Sequence, residues 1–299
     1  MPDPNVIHHA STAFTAKFKS GMEGFTPDYL KLSTVVQSSS ASTGYGFLGE
    51  FPMLSEWIGE RNVQTLADHD YSVTNKLFQA SIKVKRTDFE DNDYGKYSPL
   101  FEEMGRNGAE YPDEYIYDLL KKGTTQLCYD GQNFFDTDHQ ANGETISNLF
   151  KPSDQADEKP KFYLLDTTRA LKPLIWQERV KPQLESVNAN GQNIDDSVFM
   201  LDEYKYGVRA RGNAGYTLWQ LAACSSKGLT EENFAEVYDA MFATKADNGR
   251  PLRIRPNLIV VPPAYRQKAM ELFQREYLAN GESNPNYKIV EVLVSPWLS

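Results

Sequence analysis

The 299-residue sequence is short of most groups that chemistry is built from. It has two cysteines, Cys128 and Cys224, and four histidines, His8, His9, His69 and His139. Two cysteines cannot form a disulfide framework, so a reducing compartment is the default expectation. No run approaches the ~20 apolar residues that a membrane-spanning helix needs. The opening Met1-Pro2-Asp3-Pro4-Asn5 lacks the basic and apolar regions of a secretory signal. Basic charge is also scarce: 31 Lys and Arg against 41 Asp and Glu give a formal net charge of −10. A protein that grips phosphate normally presents a basic face to displace counterions, so the acidic balance argues against tight nucleic-acid binding. Neither a phosphate-binding Walker loop nor a Gly-x-Gly-x-x-Gly fingerprint occurs. Gly-x-Ser-x-Gly, His-Glu-x-x-His and Cys-x-x-Cys are absent too. There is no internal repeat and no heptad pattern.

What remains is an ordinary folded chain, 40% hydrophobic and 12% aromatic, long enough to bury a core without staples. Asp136-Thr137-Asp138-His139 is the best metal-ligand cluster, two carboxylates and an imidazole. Its Gly- and Asn-rich surroundings favour a structural loop instead. Asp68-His69-Asp70 reads as a solvated turn. Cys128 has no spaced general base and reads as a buried structural thiol. Glu102-Glu103 and Glu231-Glu232 read as first-turn residues complementing a helix dipole.

Along the chain, Phe14, Phe18 and Met22 recur at helical spacing within 8–22. That helix packs either on its own domain or on another molecule. Residues 33–46 are Ser-, Thr- and Gly-rich and read as a linker. Phe78, Ala80, Ile82 and Val84 alternate with polar residues as one strand. Together 45–87 read as a long hairpin, which is marginal alone and needs a surface to lie on. The best helix is 98–122, with Ser98 as cap, Pro99 in the first turn and Gly123 as stop. Pro112 predicts a kink or split near Gly108–Pro112. Residues 124–160 read as loop. Strand signals follow at 162–165, 174–177, 198–201 and 206–216. Thr230 caps a helix with the stripe Phe234, Val237, Tyr238, Met241 and Phe242. Asn248-Gly249 is a turn, 258–261 a buried strand, 263–278 a helix and 287–294 a last strand.

One ordered set of runs resembles the Mu-like phage major head subunit, the gpT family. It begins with Tyr45-Gly46-Phe47-Leu48-Gly49-Glu50-Phe51-Pro52 and Trp57-Ile58-Gly59-Glu60-Arg61, and continues through Lys83-Val84-Lys85-Arg86-Thr87-Asp88-Phe89 and Tyr97-Ser98-Pro99-Leu100. Cys128 through His139, Lys172-Pro173-Leu174-Ile175-Trp176-Gln177, Tyr206 through Asn213, Arg255 through Pro263 and Val294 through Leu298 complete it. The resemblance spans nearly the whole chain.

It implies an α+β protein with the tailed-phage, Hong Kong 97-like capsid fold and no enzymatic activity. The parts would be an N-terminal arm, 1–30; an E-loop hairpin region, 31–88; a peripheral domain, 89–228, with spine helix 98–122; and an axial domain, 229–299. Placing strands of 161–226 in the peripheral domain ahead of an axial segment is a permuted order. The function implied is a virion shell of hexamers and pentamers around double-stranded DNA, assembled in the host bacterial cytoplasm. No membrane, metal or cofactor is involved. Partners would be the chain itself, portal and scaffold proteins, and a decoration protein. Expected contacts between subunits are Phe14, Phe18, Phe47, Phe51, Trp57 and Arg61, with Gly108 and Pro112 as a bend in the spine helix that straightens on maturation. The alternatives are an encapsulin-like compartment, told apart by its contents, and a metal-dependent hydrolase at Asp136, Asp138 and His139, told apart by bound metal.

Overall fold

The structure is a computed structural model that describes residues 4–46, 48, 71–141, 143–187, 196–246, 249–278 and 280–299. Helix α1 (Pro4–Glu23) leads through the short α2 (Tyr29–Leu32) into β1 (Ser33–Gln37) and β2 (Ser42–Gly44). Thr34, Val35 and Val36 are β-branched, so the stretch expected as linker is strand over most of its length. Next come β3 (Ser72–Thr74), β4 (Lys76–Lys85), α3 (Arg86–Glu90) and α4 (Ser98–Lys122). The 124–160 region, expected as loop, contains a small hairpin, β5 (His139–Ala141) with β6 (Glu144–Ile146), and β7 (Leu149–Phe150).

Strand β8 (Phe162–Leu165) precedes the 13-residue β9 (Leu174–Ser186). Helix α5 (Asp196–Leu201) replaces the strand expected at 198–201. Phe199, Met200 and Leu201 all tolerate a helix, and Asp202, at φ 56°, turns the chain into the next strand. Strands β10 (Glu203–Tyr216) and β11 (Ala222–Ser225) follow, then α6 (Glu231–Phe242), β12 (Leu258–Val261), α7 (Arg266–Phe273) and β13 (Glu291–Val294). Thr230 caps α6 through the Asn233 N–H at 3.1 Å, as expected. Phe242 departs from the expected stripe and is 54% exposed. Helix α7 ends at Phe273, five residues before the expected Leu278, where the Asn284 amide donates to the Leu272 carbonyl at 2.9 Å and the Lys288 N–H donates to that of Phe273 at 2.8 Å. The last strand starts only at Glu291, since Lys288 sits at φ 56°.

Two sheets organise these elements. The first has the order β1-β9-β10-β4, and the second β13-β12-β8-β11-β7. The expected domain limits do not follow the two sheets. Strands β8 and β11 lie in the second sheet beside β12 and β13, while β9 and β10 lie in the first. The 161–226 segment is therefore shared between the sheets, and a boundary at 228/229 would cut through one of them. Most of the expected hairpin, 49–70, lies outside the described residues. Among the described residues β2 and β3 pair across that interval, and β4 pairs for ten residues with β10. Burial decides this, since Val84 and its alternating partners need the cover that β10 and the helices supply.

One core runs under both sheets, from Trp176 and Tyr216 to Phe234 and Val260. Helix α4 lies across the first sheet on a face of Phe101, Met104, Ile116, Tyr117 and Leu120. It runs unbroken through Pro112, so the expected split is absent. Ser98 is its first helical residue rather than its cap, which places Glu102 and Glu103 beyond the first turn. Gly123 ends the helix at φ −57°, in ordinary helical conformation. A glycine is needed there for space, because a Cβ would lie 2.4 Å from the Phe135 ring.

Candidate assembly surface

The arm helix settles first. Helix α1 packs on α4 so closely that a Cβ on Gly21 would lie 1.9 Å from the Glu102 carbonyl oxygen. A Cβ on Gly105 would lie 2.0 Å from the Phe18 carbonyl oxygen. The two glycines thus give each backbone access to the other. Phe14 stacks on Phe101 with ring centroids 4.2 Å apart and meets Tyr206 edge-on. Phe14 is 0% exposed and Phe18 2%. Both were expected between subunits, but here their rings are spent on the chain's own core and offer a neighbour no surface. Gly108 makes room for Pro182 and the Phe18 ring, with a Cβ position 3.3 Å from the Pro182 Cβ. Isolated glycines inside helical patterns were the available signal for this crossing.

The root of the 45–71 hairpin is fixed by side chains. Gln177, fully buried on β9, donates to the Val73 carbonyl at 3.0 Å and to Asn75 Oδ1 at 2.9 Å. It accepts from the Tyr45 hydroxyl at 2.8 Å. The Tyr71 hydroxyl accepts the Tyr216 N–H at 2.7 Å. A buried amide with its bonds satisfied fixes geometry, because losing any partner leaves a desolvated polar group. Phe47, Phe51, Trp57, Arg61 and the Asp68-His69-Asp70 turn lie outside the described residues. Between α4 and β4 runs an open apolar groove of about 490 Å³, lined by Phe78, Ala80, Ile82, Met104, Gly108 and Tyr111. At the far end of the first sheet, α5 exposes Phe199 at 79% and Met200 at 73%.

A second buried polar hub holds the arm's exit to the spine. The Asp113 carboxylate, 3% exposed within α4, accepts the N–H groups of Asp28 at 3.0 Å and Tyr29 at 2.6 Å. The Tyr117 hydroxyl donates to Asp28 at 2.9 Å. Burial raises the Asp113 carboxyl to about 6, the two N–H bonds oppose the rise, and Asp28 and Glu110 add to it. The folded chain therefore holds this proton more tightly than the unfolded chain. The resulting stabilisation is full below the ordinary value of 3.8 and is lost as pH rises through about 6. Measured by urea unfolding, the stability of the wild type relative to Asp113→Asn should fall by on the order of 3 kcal/mol across that window. It should be flat above. A difference that rises with pH would refute the assignment.

The Asp136–His139 cluster is structural. His139 is 0% exposed, stacks on Trp219 with centroids 4.1 Å apart, and pairs through Nδ1 with Asp130 at 2.7 Å. Asp130 also accepts from the Cys128 thiol and the Gln132 N–H, both at 3.0 Å. Burial opposes ionisation of Asp130, yet the bonds from His139, Cys128 and Gln132 hold it below the usual carboxylate range. Burial, with Asp130 beside it, pushes the Cys128 thiol up and away from thiolate chemistry. The Asp136 carboxylate is occupied by the Thr137 N–H at 2.8 Å and the Asn133 amide at 3.2 Å. No group of three or more His, Cys, Asp or Glu poised for a metal occurs among the described residues. No helix among them is long and apolar enough to cross a membrane.

A family model described as Mu-like prophage major head subunit gpT matches residues 7–298. The major capsid protein of Escherichia phage Mu is 41% identical over 286 residues, covering 94% of this chain and 93% of that protein. The Mu-like prophage FluMu major head subunit of Haemophilus influenzae is 40% identical over 284 residues, covering 92% and 91%. Among solved structures, the procapsid of bacteriophage JBD30 is similar with a TM-score of 0.87 and 49% identity, over 98% of this chain and 99% of that one. The JBD30 capsid decorated with minor capsid protein trimers gives a TM-score of 0.74 at 37% identity, over 91% and 90%. These findings support neither the encapsulin-like nor the hydrolase alternative. The chain belongs to the Mu-like major head subunit gpT family: it has the tailed-phage, Hong Kong 97-like capsid fold and is a structural, non-enzymatic subunit of the icosahedral head shell in the virion.

Proposed function

We propose that the chain closes its shell as hexamers and pentamers in which the segment between β2 and β3 lies on the adjacent subunit. Phe47, Phe51, Trp57 and Arg61 are then its contact residues. The observation that carries this reading is the fixed root of the hairpin: Gln177, Tyr45 and Tyr71 tie it to the first sheet. A segment so rooted leaves in one direction, and its aromatic residues need cover. Head-to-tail contacts of this kind close into rings. Many modest contacts per subunit then stabilise the shell through multivalency.

The first sheet with α1 and α4 serves as the peripheral unit, and the second sheet with α6 and α7 as the axial unit. Gly108 and Pro112 mark where the spine helix yields during maturation, since Pro112 leaves the Gly108 carbonyl without its helical donor. The shell encloses double-stranded DNA without sequence-specific contacts and is assembled in the bacterial cytoplasm with portal and scaffold proteins. A minor capsid protein decorates it, as in the JBD30 capsid.

Replacing 47–70 with a short Gly-Ser turn tests the central point. The expected product is a folded subunit that forms no shells by negative-stain microscopy. Normal shells from this variant would sink the reading.

A further inference from the structure

The first sheet has one face under α1 and α4; the other face is covered at the β2–β3 end, where Gln177 is buried, and among the described residues is open along the 203–211 stretch of β10. Tyr204, Tyr206, Val208 and Ala210 of β10 point to the helices, and the alternate residues point away. That open face gathers cations in an acidic chain. Strand β10 places Lys205, Arg209 and Arg211 there, and β4 places Lys83 and Lys85. Lys205 stands directly opposite Lys83 in the β4–β10 register. Like charges directly opposite on one face destabilise a sheet. Only Lys83 is neutralised, by Glu203 at 2.7 Å; Lys85, Lys205, Arg209 and Arg211 make no ion pair among the described residues. Gln183 and Glu185 of β9 flank the strip. Gly207, opposite Ser81, leaves its middle low, and a shallow depression runs between Lys83, Lys205 and Glu185. Inside the subunit Glu203 relieves only Lys83, and the remaining unpaired cations point to a use outside it.

We propose that this basic strip docks the acidic ridge of α4 on a second copy of the chain. Glu103, Glu110 and Glu114 share one side of α4, and none makes an ion pair among the described residues. The ridge is about 16 Å long at 1.5 Å per residue. From Lys205 to Arg211 the strip is about 20 Å long at ~3.3 Å per residue. The two surfaces match in length and are opposite in sign. They lie on different parts of the subunit, so the contact is heterologous and propagates head to tail. Away from the strip the chain is more acidic than its net −10, which favours a second copy over a neutral partner. The contact rests on self-assembly and not on the 47–70 segment.

Charge swapping tests it. Arg209→Glu with Arg211→Glu, and separately Glu110→Lys with Glu114→Lys, should each lower capsomer and shell formation by at least about tenfold, because the lost pairs recur at every copy of the contact. Circular dichroism and thermal unfolding of the unassembled subunits should stay as in the wild type. A chain carrying all four reversals should recover assembly, and rising ionic strength should weaken the wild type and the swapped chain alike. Folded reversal variants that assemble normally would overturn the proposal. So would a four-fold swap that fails to recover assembly, or normal shells that merely retain less nucleic acid, which would assign the strip to the packaged polyanion. Loss of shells on replacing 47–70, with charge reversals silent, would leave the hairpin contact standing and this one refuted.

Discussion

Replacing Gly105 with alanine should destabilise the subunit by roughly 2 kcal/mol or more, although helix propensity alone predicts a gain of about 1 kcal/mol. The sign is set by the crossing of α1 and α4. The new Cβ would lie 2.0 Å from the Phe18 carbonyl oxygen and 2.9 Å from its carbon. Those are backbone atoms of another helix, so no rotamer relieves the clash, and the helices must separate. Separation uncovers Phe14, Phe18 and Phe101 together. Gly21→Ala meets the same obstacle from the other side, at 1.9 Å from Glu102. Gly95→Ala is the control, since nothing lies within 4 Å of its added Cβ. Urea unfolding measures the loss, and limited proteolysis should release α1 at Lys17 or Lys19 in the two crossing variants only. A Gly105→Ala subunit as stable as the wild type would show that the helices do not cross this tightly.

Trp176→Ala should cost roughly 3–5 kcal/mol, the range for removing a large aromatic from a core. Trp176 is 1% exposed on β9 and meets Tyr111 edge-on at 5.4 Å and Tyr29 at 6.0 Å. Its ring also fills the place of the side chain that Gly212 lacks: a Cβ there would lie 2.9 Å from it. The indole therefore joins the spine helix, the arm's exit and the long β9–β10 ladder. Collapse cannot fill the space, because a strand on either side fixes the β9 backbone. Chemical denaturation should show the loss. Hydrogen exchange should rise in α4 near Tyr111 before it rises in the second sheet. A loss below about 1 kcal/mol would mean that the site repacks.

The spine helix was legible because its whole apolar face, its Pro99 and the Gly123 that ends it lie within one continuous segment. The strand 258–261 and the Thr230 cap were legible for the same reason. The strand at 76–85 was legible but its partner was not, since alternation identifies a strand and not what it pairs with. Strand β4 could have paired with the chain before it, yet it pairs with β10, more than a hundred residues later. The division of 161–226 between the sheets was not legible for the same reason: β8 and β9 are neighbours in sequence but belong to different sheets. Phe14 and Phe18 show the limit for contact residues. Periodicity identifies an apolar face, and only the fold says which surface covers it.

By itself the sequence pointed to a shell subunit through its resemblance to the gpT family. The ordered gpT-like runs sufficed for that, because each is local in the chain; the acidic balance and the missing motifs were only consistent with it. The tertiary structure alone decided which residues are spent inside the subunit and which remain for a neighbour. Burial and charge placement depend on pairings between distant segments. The arm's aromatics are withdrawn by a glycine crossing between helices some eighty residues apart. The basic strip exists only because β4 and β10, apart in sequence, lie side by side.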